Sequence, residues 1–90
     1  MSRPELREAS DVLRRAAEQV TDPDTEARVY EQSRALAELA TADRGPDQGR
    51  LDRHRHALTE IADGLDGEPE TLVAEAADLV QEYREGVGGV

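Results

Sequence analysis

Apolar side chains return every three or four residues in four separate segments of this chain, and proline or glycine interrupts the pattern between them. That period belongs to the α-helix, whose 3.6-residue turn brings such positions onto one face. Leu6, Ala9, Leu13, Ala16, Ala17 and Val20 make the first stripe. Val29, Tyr30, Ser33, Leu36, Ala37 and Ala40 make the second, with Leu39 at its edge. Leu51, His54, Leu58, Ile61, Ala62 and Leu65 make the third, and Leu72, Val73, Ala76, Leu79, Val80 and Tyr83 the fourth. No run of alternating β-branched residues signals a strand. The expected fold class is all-α.

The breaks set the expected boundaries at about 3–20, 23–42, 48–63 and 69–85. Ser2 and Glu5 are spaced as a capping box. Asp22 is placed to cap the second helix, with Pro23 at its first position, where a missing N–H costs nothing. Asp47 is a good N-cap for the third helix. Gly64 followed by Leu65 matches a Schellman ending for it. Gly86 should end the fourth helix, leaving residues 86–90 as a flexible glycine-rich tail. Residues 1–85 then form a single helical domain. Short links favour antiparallel neighbours, hence a small up-and-down four-helix bundle. The alternative is a three-helix bundle whose fourth helix sits at a dimer interface.

The core supply is thin. The 90 residues include no Phe, Trp or Cys and two Tyr, and much of the apolar content is alanine. A chain of this size buries only a little over 60% of its unfolded surface. Help from a second copy or a partner protein is therefore expected. Disulfides and thiolate metal sites are excluded. No apolar run approaches the roughly 18 residues of a membrane span, and "MSRPELREAS" holds no apolar signal region. A cytoplasmic protein with no membrane association is expected.

Charge narrows the setting. Asp and Glu number 21 against 11 basic residues, for a net charge of -10, and every basic residue is Arg. At molar salt the Debye length falls to about 3 Å, and crowded carboxylates stop repelling one another. A high-salt cytoplasm accounts for both the acid excess and the absence of Lys. A GC-rich genome also favours Arg and Ala codons over Lys, but leaves the acid excess unexplained.

Against that background "RGPDQGRLDRHRH", Arg44 to His56, holds four arginines and both histidines. His54 and His56 lie two residues apart, about 200° around a helix, so they cannot clamp one metal. His54 falls on the apolar stripe and should find one hydrogen-bond partner, such as Tyr30, Tyr83 or Ser33. Arg50 and Arg55 flank the stripe on opposite sides, while Arg53 and His56 face solvent. Two roles stay open for this collar. Arg50 and Arg55 could clip the bundle by reaching Glu31, Glu38 or Glu75. Alternatively, Arg44, Arg50, Arg53, His54, Arg55 and His56 could meet an anionic partner. Nucleic acid is disfavoured, because the pI is about 4.5 and no aromatic platform accompanies the arginines. No residue pattern marks a catalytic site or a cofactor site, and an enzyme is not expected.

Pro46 to Asp63, "PDQGRLDRHRHALTEIAD", resembles a stretch of small acidic haloarchaeal proteins that share a domain of unknown function. There a Pro-Asp-x-Gly-Arg-Leu-x-x-His segment leads into an amphipathic helix. The first helix and the ending "EYRE", Glu82 to Glu85, are similar too. The resemblance implies a halophilic archaeal origin and a role for Gly49, Arg50, Leu51 and His54 in the fold or a shared contact. It carries no activity or cofactor. The expected function is protein–protein interaction as a homo-oligomer, with anion or nucleic-acid binding through the Arg44–His56 cluster as the alternative.

Overall fold

The computed structural model describes residues 3–42 and 48–88, which form four helices and no strand. They are α1 (Pro4–Gln19), α2 (Pro23–Thr41), α3 (Gln48–Asp63) and α4 (Gly67–Gly88). α1 packs against α2 and α4, and α3 packs against α4. α2 and α3 touch least, and the diagonal pairs do not meet. This is a four-helix bundle of 39 × 20 × 17 Å with one thin seam. α4 is held by α1 and α3 of the same chain, so the three-helix alternative is not the fold. No helix among the described residues is long and apolar enough to cross a membrane.

Helix ends follow local chemistry in part. Asp22 Oδ2 accepts from the Thr25 backbone N–H at 3.0 Å and from Thr25 Oγ1 at 2.7 Å, the expected cap of α2. The expected Ser2–Glu5 capping box is not the start of α1. Ser2 lies outside the described residues, and Arg3 occupies the N-cap with no side-chain cap bond. Asp47 also lies outside them. The expected Schellman ending of α3 is absent as well. Gly64 is not left-handed; it and Leu65 donate backwards to Ile61 and Ala62 at 3.1 and 3.0 Å, a 3₁₀-type closure. The left-handed residue is instead Gly67, at φ 69°, which lets α4 begin two residues before Pro69. α4 also runs past Gly86 to Gly88, because no left-handed turn at Gly86 diverts the chain.

Leu6, Leu13, Leu36, Leu51, Leu58, Val12, Val29, Val73 and Val80 are fully buried. Alanines at 9, 16, 17, 40 and 76 are also fully buried, and their small side chains let the helices approach closely. Val12 joins the core because α1 faces two neighbours, α2 and α4, and so buries a broad face. Tyr30, expected on the buried face, is 41% exposed. It lies about 100° around α2 from Val29, past the Ser33 contact with α1. Among the described residues, Tyr30 is the one large apolar side chain left exposed.

Candidate functional site

The Arg and His collar resolves into two local structures on α3. The first centres on Asp52. Its Oδ1 accepts from Arg55 Nη2 and from Arg84 Nη1, each at 3.1 Å, and His56 Nε2 lies 3.4 Å from Oδ2. Arg84 also donates through Nε to Gln48 Oε1 at 3.1 Å. The hydrogen bond from Arg55 is the main cause that holds the Asp52 carboxyl below the usual carboxylate range. Partial desolvation opposes it, and the charges of His56, Arg84 and Arg55 add to it. The expected clip to Glu31, Glu38 or Glu75 is therefore not how Arg55 is used. Arg55 closes on its own helix at i,i+3 spacing, and Arg84 makes the bond between α3 and α4. His56 is exposed, as are Arg50 and Arg53. Arg44 lies outside the described residues.

The second structure is the bond between His54 and Gln32, 2.7 Å from Nδ1 to Oε1 across the thin seam between α3 and α2. A carbonyl oxygen only accepts, so Nδ1 carries a proton and donates it to Gln32. The expected partners are engaged elsewhere or exposed. Tyr83 Oη accepts from Arg3 at 3.0 Å, Ser33 pairs with Ser10, and Tyr30 faces outward. Burial lowers the His54 pKa below its ordinary value, and the Arg50 and Arg53 charges push the same way. Protonation thus favours the unfolded chain, so stability is full above the unfolded pKa of about 6.5 and falls as pH drops through the depressed folded value. Thermal melts should show a shallow loss of Tm in that window, absent in His54→Gln. An equal loss in both proteins would sink this assignment.

One well-connected side chain escaped the sequence reading. Arg3 Nη1 donates to the backbone carbonyls of Leu39 and Ala42 at 2.9 and 3.0 Å, and Nε donates to Tyr83 Oη at 3.0 Å. Its own backbone N–H donates to Ala40 O at 3.0 Å. The last carbonyls of α2 have no helical donor and carry partial negative charge. With no basic residue in the last turn of α2, Arg3 supplies the cation from another helix. That missing charge was the available signal.

Ser10 and Ser33 make the only buried polar pair among the described residues. Ser10 Oγ donates to Ser33 O at 2.8 Å, Ser33 Oγ donates to Ser10 O at 3.0 Å, and the hydroxyl oxygens lie 3.0 Å apart. The reciprocal bonds set the register of α1 on α2. Ser10→Ala should cost about 1 kcal/mol, a Tm fall of roughly 4–8 °C. Adding Ser33→Ala should cost less than it does alone, since the partner is already gone. Strict additivity in a double-mutant cycle would contradict the coupling.

On the outward side of α3 and α4 runs a trough of about 650 Å³. Ala62, Ala74 and Ala77 leave its floor low, and Asp63, Glu70, Glu75 and Asp78 edge it. None of these four carboxylates is bonded to a cation among the described residues.

The model of a family of unknown function, DUF7553, matches residues 1–86. The chain belongs to this family. The DUF7553 match spans the Arg3 clasp, the Ser10–Ser33 pair, the Asp52 cluster and the acidic trough, so all four lie within the family unit. No curated protein and no solved structure matches the chain.

Proposed function

We propose that this DUF7553 chain is a non-catalytic, salt-adapted binding module that receives a basic protein surface along α3 and α4. The observation that carries this reading is the acidic trough. Its alanine floor leaves room between two rigid helices, and its four carboxylates crowd one another without internal cations. An incoming guanidinium relieves that crowding and can bind a carboxylate through two parallel bonds. The contact is polar because the apolar stripes are consumed internally, which departs from an association driven by leftover apolar surface.

The second reading, anion binding at the α3 start, keeps Arg50 and Arg53 as exposed positive groups. It is weakened because Arg55 and His56 already face Asp52.

One titration separates the two. An Arg-rich helical peptide should shift the amides of residues 59–63 and 70–78, and Ala74→Arg should abolish the effect. If the peptide leaves those amides unmoved, the trough reading falls. If an oligonucleotide moves residues 50–56 instead, the second reading replaces it.

A further inference from the structure

The opposite side of the bundle carries a local patch of positive charge. α1 and α3 do not touch, nor do α2 and α4, so the outer face of α1 and α2 points away from the outer face of α3 and α4. On that α1–α2 face Arg7, Arg14 and Arg34 surround a shallow groove of about 150 Å³, whose one acidic residue is Asp11. In a chain with 21 acidic residues, these three guanidinium groups bond to no carboxylate among the described residues. In the floor, the Ser10 and Ser33 hydroxyls donate to each other's backbone carbonyls, so no carboxylate there pairs with the guanidinium groups. Tyr30, the one exposed large apolar residue described, lies one turn before Arg34 on α2. Arg and Tyr are the side chains most used as anchors at protein contacts.

We infer that the α1–α2 face docks on the α3–α4 trough of a second copy of this chain. The inference rests on the trough reading and names its partner. Three guanidinium groups meet four carboxylates, and each set supplies what the other lacks. A face of 39 by 20 Å falls just short of the roughly 800 Å² per side of a standard interface. The two grooves also stand at different heights. In the antiparallel bundle Arg7 lies toward the Arg3 end and Arg14 and Arg34 nearer mid-height, whereas Asp63 and Glu70 flank the α3–α4 turn at the other end. Docking is therefore staggered, which trims the buried area and leaves the affinity dependent on charge. The contact joins two different patches, so it propagates head to tail until it closes into a ring.

Two variants test this. One carries Arg7→Gln, Arg14→Gln and Arg34→Gln and keeps only the acidic face. The other carries Asp63→Asn, Glu70→Gln, Glu75→Gln and Asp78→Asn and keeps only the basic face. Sedimentation velocity is run in the lowest salt at which circular dichroism shows the helices intact. The natural chain should assemble beyond a dimer. Each variant alone should associate about tenfold more weakly or less, the combined loss of three exposed ion pairs. An equimolar mixture should give a one-to-one dimer that grows no further. A natural chain that stays monomeric overturns the inference, as does assembly that either variant leaves intact, or a mixture that fails to pair. Binding of the Arg-rich peptide to the Arg-free-face variant is read in parallel. If that binding persists while self-association is absent, the trough still receives a basic partner and only the second copy is wrong. If both are absent, the trough reading fails too.

Discussion

Dialysis from about 2 M salt into about 50 mM should remove most of the helical circular dichroism of this chain, and restoring more than about 1 M should return it. The cause is self-repulsion. The chain carries a net charge of -10 on a bundle 20 × 17 Å across. Among its described carboxylates only Asp52 has a cationic partner, while Asp22 is spent on capping and Glu68 on a bond from Gln19. At about 50 mM the Debye length exceeds 10 Å, so carboxylates on adjoining turns and helices act on one another; at 1 M it is about 3 Å. A core built largely of alanine and a few leucines has little surplus to oppose that repulsion. The variant with four neutralised trough carboxylates should stay folded to lower salt than the natural chain. A signal that stays flat from low salt to 2 M would refute the salt adaptation.

Arg3→Ala should cost about 2 kcal/mol and lower Tm by roughly 10 °C, even in high salt. Three hydrogen bonds from one guanidinium are lost, two of them to the C-terminal carbonyls of α2 and one to Tyr83 of α4. Each bond to a charged donor is worth about 1.5–3 kcal/mol, but the site is only half-buried, so water recovers part of the loss. The variant frees two connections at once, because the start of α1 is what holds the ends of α2 and α4 together. Arg3→Lys should lie between the two, since it keeps the charge near the helix end and loses the fork. Tyr83→Phe removes one bond and should cost the least. If Arg3→Ala melts within a degree or two of the natural chain, the clasp contributes nothing in solution.

The all-α class, the four helices and most of the buried stripe were legible in the order of residues. A helical period depends on neighbours three and four positions away, and so does a cap such as Asp22 on Thr25. Those relations are local, and the chain carries them wherever it folds. What the sequence could not express is which side chains meet across helices. Arg3 finds carbonyls at Leu39 and Ala42 and the hydroxyl of Tyr83; His54 finds Gln32 rather than a Tyr or a Ser; Arg84 bridges α3 to α4 at Asp52, while Arg55 closes on its own helix. Each partner lies tens of residues away, at a place set by the height and rotation of two packed helices. The same packing gathers four carboxylates around a trough on one side and three arginines around a groove on the other. The sequence by itself determined that this chain forms helices with one apolar side and a large excess of acid. Only the tertiary structure decided where the excess is bare and where its cations stand, because a side chain's neighbours in space follow from packing rather than from position along the chain.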